Sequence, residues 1–157
     1  PVILELKGRY NNYVYKNRVE IKHSTTSISD ITNLLDQNKL YDNPVYEQYM
    51  YDKYAKFIQP VMLIDYNRRA YQSNLDYEFR VTFDGDIYGT QTDELFPSND
   101  YNKRKLIDGY TIMEVKFRKH MPPWFHRIIL NHQMNRISIS KYCTGMETTN
   151  LIQNLDN

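Results

Sequence analysis

Strict alternation of apolar and charged side chains over short segments is the feature of this sequence that most constrains its fold. Along residues 77–84, Phe79 and Val81 alternate with Arg80 and Asp84. The same alternation recurs in three other segments: 2–9, 13–22 and 111–119. Because successive side chains of a strand point to opposite faces, each segment is predicted to form a strand with one apolar and one charged face.

Turn residues and a further apolar run complete the predicted strands. Asn11 and Asn12 tolerate left-handed backbone and predict the turn between the first two strands. Residues 61–70 are predicted to form another strand, and the run 84–86 (Asp-Gly-Asp) is predicted to be rich in turns.

Helical spacing appears in three places. Apolar residues recur every three or four positions near 27–35 and over 45–58, which predicts two helices. Pro122 and Pro123 predict a third, through about residue 134, since proline is tolerated in a first turn. Strands with a few helices place the chain in the α+β class.

The charged strand faces admit two interpretations. In the first, a half-buried antiparallel sheet turns its charged face to water. In the second, the sheet closes into a barrel with the charged faces inward, so that Arg and Lys line a lumen for a linear polyanion. A Glu among them would hold the metal ion that neutralises this polyanion. Periodicity alone leaves both interpretations open.

Length and composition narrow the class of protein. With 157 residues, of which 41% are hydrophobic and 25% charged, the chain has the size and composition of one globular domain. Its net charge of +1 predicts no general attraction to nucleic acid or anionic lipid, so an anion site must be local. No apolar run reaches the roughly 20 residues of a membrane helix, which predicts no membrane segment. The single cysteine, Cys143, excludes an internal disulfide and predicts a reducing, cytoplasmic location.

Motifs for other phosphate and metal chemistries are missing from the sequence. It contains no Gly-x-x-x-x-Gly-Lys loop, which argues against a P-loop enzyme. Its four histidines do not fall at metal-ligand spacing. The basic run Lys103-Arg104-Lys105 is interpreted as a solvated charge run, with a guide for an anionic product as the alternative.

Six short segments occur in an order that resembles a known family. They are Glu5-Leu6-Lys7, Tyr15-Lys16-Asn17-Arg18, Tyr66-Asn67-Arg68-Arg69-Ala70-Tyr71, Phe79-Arg80-Val81-Thr82-Phe83-Asp84, Met113-Glu114-Val115-Lys116-Phe117 and Ser140-Lys141-Tyr142. Together they resemble the catalytic domain of the vacuolar transporter chaperone (VTC) family, the polyphosphate polymerases of the triphosphate tunnel metalloenzyme superfamily. The resemblance covers nearly the whole chain except its last residues and the segment 24–59.

The resemblance implies roles for eight positions. It implies phosphate contacts for seven basic residues: Lys7, Lys16, Arg18, Arg68, Arg80, Lys116 and Lys141. Glu114 matches the family's metal-binding glutamate, for which Mn²⁺ or Mg²⁺ is the implied cofactor. The implied fold is an antiparallel β-barrel, the triphosphate tunnel, with helices packed outside.

The function implied by the resemblance is polyphosphate synthesis from ATP, with ATP and polyphosphate as partners and a larger assembly left open. Two alternatives also stay open: hydrolysis of a triphosphate in the same tunnel, and a non-catalytic polyphosphate-binding module. The family's domain begins further upstream, with strands that supply additional arginines. We therefore expect residues 1–147 to form a tunnel domain that lacks its first strands, followed by a polar tail over 148–157.

Overall fold

The computed structural model describes residues 2–11, 13–21, 42–94, 97 and 102–151. The chain divides into two compact units: Pro1–Val61 with Thr92–Asn99, and Met62–Gln91 with Asp100–Asn157. The helix predicted near 27–35 lies outside the described residues.

The first unit contains an antiparallel two-stranded ribbon. Strand β1 (Val2–Tyr10) pairs along its whole length with β2 (Tyr13–Ile21). Asn11, between them, has the left-handed backbone that the sequence predicts, with a φ of 52°. Both predicted strands are confirmed to within one residue at each end.

Helix α1 (Pro44–Lys56) packs on the apolar face of this ribbon. The side chain of Asn43 caps the helix by accepting a hydrogen bond from a first-turn amide at 3.0 Å. Ile21 from β2 and Tyr46 from α1, each 3% exposed, form the core of the unit. The helix predicted over 45–58 is confirmed, although it ends two residues earlier.

The second unit contains a four-stranded antiparallel sheet. Its strands are β3 (Met62–Gln72), β4 (Arg80–Gln91), β5 (Lys103–Lys105) and β6 (Ile112–Lys116). Strand β4 pairs with β3 along one edge, and with β6 and then β5 along the other. It is therefore the strand on which the rest of the sheet is assembled.

The prediction of a turn-rich stretch at 84–86 is wrong. Strand β4 starts three residues later than predicted and continues through this stretch to Gln91. The register against β3 shifts between Asp65 and Asn67, and Asp86 takes a left-handed φ of 49°, so a β-bulge absorbs the irregularity. Pairing with β3 on both sides of the bulge outweighs the local preference for a turn.

Helix α2 (Pro123–Asn131) covers the apolar face of this sheet. Phe125 packs against Phe79 and Val81, and all three side chains are at most 7% exposed. The rings of Phe79 and Phe125 meet edge to face with centroids 5.1 Å apart. The helix predicted from the proline pair is confirmed, although it ends at Asn131.

The sequence pattern does not predict helix α3 (Lys141–Thr148), which packs against β3 and β4. A Cβ on Gly145 would lie 2.5 Å from the Met62 sulfur, so glycine permits the close approach of this helix to the sheet. Lys141 reaches Asp84 on the polar face. Helices α2 and α3 therefore lie on opposite faces of the sheet.

These elements confirm the predicted α+β class with antiparallel sheets. Within the described ranges, neither sheet closes into a barrel. None of the helices among the described residues is long and apolar enough to cross a membrane.

Candidate functional site

The polar face of the sheet in the second unit brings together five of the eight predicted site residues. Cross-strand partners of an antiparallel pair lie on the same face of a sheet. The partners on this face are Arg68 with Asp84, Glu114 with Thr82, and Lys116 with Arg80. Lys141 joins them from the first turn of α3. The charged face that alternation predicts for β4 and β6 is therefore confirmed.

Asp84 lies at the centre of this face and is fully buried. Its Oδ1 accepts a hydrogen bond from Arg68 Nε at 2.6 Å, and its Oδ2 accepts one from Arg68 Nη2 at 2.8 Å. The ammonium of Lys141 lies 2.7 Å from the same Oδ2. A buried carboxylate is stable only when it is paired, and two cations satisfy this one.

Sequence reasoning places Asp84 on the charged face but assigns it no role. The alternation already indicates that Asp84 shares a face with Arg80, because the two residues are an even number of positions apart. The sequence does not predict the burial of Asp84, because it does not predict helix α3, whose Lys141 contacts Asp84.

The charges of this cluster shift one another's proton affinity. The Arg68 guanidinium, followed by the Lys141 ammonium, holds the pKa of Asp84 below its usual value, although burial opposes this. Hydrogen bonding to Asp84 raises the pKa of Arg68. The ring of Tyr66 lies 5.2 Å from the Arg68 guanidinium carbon and 4.8 Å from the Lys141 nitrogen, so one aromatic ring contacts both cations.

Glu114 is the second carboxylate of this face, and its side chain is 41% exposed. Its oxygens lie 3.2 Å from Lys116 Nζ and 3.7 Å from Arg68 Nη2. Partial burial raises the pKa of Glu114, but Lys116, Arg68 and Lys141 together lower it below the ordinary value. Glu114 is therefore ionised at neutral pH.

The donor set around Glu114 decides which metal chemistry it fits. The described ranges contain no group of three or more His, Cys, Asp or Glu residues that could hold a metal ion. Mg²⁺ often binds through only one or two carboxylates, with substrate phosphates and water completing its coordination. Glu114 fits the arrangement with few carboxylates, as a single protein ligand for a cation that arrives with phosphate.

The cations of this face form two pairs at different positions along β4. Arg68 and Lys141 meet at Asp84, whereas Arg80 and Lys116 lie opposite each other and are exposed. Arg80 lies four positions before Asp84, which corresponds to about 13 Å at the usual rise of a strand. The face therefore offers cationic groups over a length greater than one phosphate group.

The other three predicted phosphate ligands lie on the ribbon of the first unit. Lys7 lies directly opposite Lys16, and Arg18 lies opposite Glu5, with which it forms an ion pair. These residues share the charged face that alternation predicts, and the three cations are exposed. That they line a common lumen with the residues of the second unit stays a prediction.

The basic run 103–105, interpreted from the sequence as a solvated charge run, forms strand β5, in which Arg104 and Lys105 are exposed. Lys103 Nζ lies 3.0 Å from Asp65 Oδ1, Arg104 donates to the Thr148 carbonyl at 3.2 Å, and Lys105 pairs with a neighbouring aspartate. All three cations therefore have partners within the chain, which favours a structural role over a guide for product.

Fold and site together define an α+β domain whose sheet presents a cationic face around a buried carboxylate. The family model described as the VTC domain matches residues 1–150, and the chain belongs to this family. Membership confirms the resemblance found in the six sequence segments and indicates a function related to polyphosphate. A comparison with curated proteins gave no match.

Thr82 provides a test of the buried polar face. Its side chain is 3% exposed, and its hydroxyl has no hydrogen-bond partner among the described residues. Thr82→Val keeps the shape and removes the unpaired hydroxyl, so we expect the free energy of unfolding to rise by about 1 kcal/mol in urea denaturation.

Thr149→Val is the matched control, because the Thr149 hydroxyl donates to the Gly145 carbonyl at 2.8 Å. We expect this control to lose about 1 kcal/mol. A Thr82→Val variant that is less stable than the unchanged chain would contradict the assignment of an unpaired hydroxyl.

Asp84 should make stability depend on pH. Because its pKa is lowered on folding, its carboxylate contributes stability above the unfolded pKa of about 3.9 and loses it as the pH falls through the folded value. At neutral pH we expect Asp84→Asn to lower the free energy of unfolding by about 3 kcal/mol, since it breaks a buried pair. Near pH ~3 the difference between the two chains should shrink. Equal differences at both pH values would show that Asp84 is not the titrating group.

Proposed function

We propose that this chain is the phosphate-handling part of a metal-dependent polyphosphate polymerase, which transfers the γ-phosphate of ATP onto a growing polyphosphate chain. The observation that carries this proposal is the sheet face on which two pairs of cations flank Glu114. Membership of the VTC domain family supports it independently.

The arrangement of the cations suits a linear polyanion. A single phosphate would engage one pair, either Arg68 with Lys141 or Arg80 with Lys116. A chain of phosphates lying along β4 would engage both pairs in turn, because they are about 13 Å apart along the strand. Arginine adds a planar fork of donors that can bind two phosphate oxygens at once.

The chemistry of this reaction suits a site without a protein nucleophile. Phosphoryl transfer depends mainly on positioning and on neutralising the charge of the transferred group. The attacking atom is a terminal oxygen of the polyphosphate itself, so the protein needs only to hold both phosphate groups in line. Arg68, Arg80, Lys116 and Lys141 would do this by donating hydrogen bonds to phosphate oxygens.

Glu114 would hold Mn²⁺ or Mg²⁺ in this reaction. When bound, the metal supplies positive charge that neutralises the phosphate oxygens. We propose the same phosphate-binding role for Lys7, Lys16 and Arg18. The closed tunnel that the family resemblance implies is also part of this proposal.

A second candidate is a polyphosphate-binding module without turnover. The observation that favours it is the pairing of Glu114 with Lys116 and Arg68, which occupies the carboxylate with protein cations. This candidate predicts that the unchanged chain binds polyphosphate but forms none from ATP.

Glu114→Gln tests the role of metal ligand that the first candidate gives to Glu114. The amide keeps the volume but loses the charge, so we expect formation of polyphosphate from ATP and Mn²⁺ to fall by about 100-fold or more. Polyphosphate binding should persist, since the variant removes a negative charge from a cationic face. Electrophoresis of the product and a binding titration measure the two effects.

Glu78→Gln is the control, because Glu78 is an exposed carboxylate paired with Arg118 at 3.1 Å. It should leave both synthesis and binding unchanged. Synthesis at an undiminished rate by the Glu114 variant would exclude Glu114 as the metal ligand. Binding without any synthesis by the unchanged chain would favour the binding module.

A further inference from the structure

We propose that Asp84 is a positioning residue for phosphate binding, which fixes Arg68 and Lys141 so that their remaining N–H groups face the ligand. This role rests on the proposed function of the site. It adds a residue to which the family resemblance assigns no part.

Asp84 determines which N–H groups of Arg68 are available to a ligand. A guanidinium has five N–H groups, and Asp84 accepts from Nε at 2.6 Å and from Nη2 at 2.8 Å. This contact occupies one edge of the planar group. Three N–H groups remain, of which one on Nη1 and the second on Nη2 are parallel and form the outer edge, where Glu114 Oε2 lies 3.7 Å from Nη2. Because two parallel N–H groups bind two oxygens of an anion, Asp84 determines which edge Arg68 presents to phosphate.

The ammonium of Lys141 needs a similar constraint. It ends a flexible side chain and can point its three N–H groups in many directions. Its 2.7 Å contact with Asp84 Oδ2 places it beside Arg68, at the same carboxylate. One residue therefore aligns two cations that come from different secondary structure elements.

The order of burial places Asp84 behind the cations. Its side chain is 0% exposed, whereas those of Lys141 and Arg68 are 22% and 34% exposed. An anion that approaches from solvent meets the two cations first. Phosphate can bind their outer donors while Asp84 keeps the inner ones.

Positioning and simple electrostatics predict opposite effects when the charge of Asp84 is removed. If Asp84 acts only as a negative charge, Asp84→Asn makes the face more cationic and tightens anion binding. If Asp84 orients the donors, the same variant binds an anion more weakly in spite of the gain in positive charge. The sign of the change therefore separates the two effects.

The experiment is a calorimetric titration of inorganic triphosphate into the full chain at fixed ionic strength. We expect Asp84→Asn to raise the dissociation constant about tenfold, the scale of one lost charge-assisted hydrogen bond. Asp86→Asn is the matched control, because it removes the same charge two residues away. Asp86 is exposed, accepts from Asn67 at 3.0 Å, and has a left-handed backbone that asparagine also adopts. This control should bind triphosphate at least as tightly as the unchanged chain.

A second variant and a measurement on the unchanged chain extend the test to the case in which Asp84→Asn does not fold. Asp84→Glu keeps the charge but moves the carboxylate by one methylene, so it should also weaken binding. In the unchanged chain, side-chain nitrogen NMR should show the Arg68 Nε–H protected from exchange both with and without triphosphate, while the Nη signals shift on binding.

The outcomes separate this role from the proposed function. If the unchanged chain binds triphosphate and the Asp84 variants bind equally well or more tightly, the positioning role is overturned and the phosphate site stands. Loss of Nε–H protection on binding overturns it as well, since the ligand would then displace Asp84. If the unchanged chain does not bind triphosphate, the proposed function and the positioning role both fail.

Discussion

The buried carboxylate of Asp84 is the interaction on which the polar half of this structure depends. An ionised group without water costs several kcal/mol unless charges and hydrogen bonds replace its solvation. Arg68 supplies two hydrogen bonds from β3, and Lys141 supplies a third contact from α3. The pairing of β3 with β4 and the docking of α3 are therefore linked through one side chain.

The opposite face of β4 depends on ordinary apolar packing. Phe79, Val81 and Phe125 form a core in which α2 covers the sheet. Because the strand alternates strictly, the same run of residues supplies this core and the charged face behind it. A change of register by one residue would exchange the two faces. The β-bulge near Asp86 places one extra residue in β4, so the face that carries Arg68 has Asp84 of β4 on one side of the bulge and Gly89 on the other, and the alternation of β4 reverses there.

Alternation was sufficient to predict the parts of the site that lie on regular strands. It places Arg80 with Asp84, and Glu114 with Lys116, on charged faces without reference to how the strands pair. It does not show that Arg68 meets Asp84, because that contact depends on the register between β3 and β4.

The elements that the sequence did not predict lack a strong local signal. Strand β5 is three basic residues long and shows no alternation. Helix α3 contains Gly145 and two threonines within eight residues, which are poor helix formers, and its position depends on packing of Gly145 against Met62 and Ile64. The partners of Asp84 come from this helix and from the register of β3 against β4, neither of which the local sequence specifies.

Chemical labelling of lysine amines in the presence of polyphosphate tests most directly whether the polar face of the sheet binds a linear polyanion. The second unit offers internal comparisons, since Lys116 and Lys141 lie on that face while Lys105 pairs with Asp108. Mass spectrometry of the labelled chain should show that polyphosphate protects Lys116 and Lys141 and leaves the labelling of Lys105 unchanged. Equal protection of all three lysines, or protection of Lys105 alone, would contradict the account.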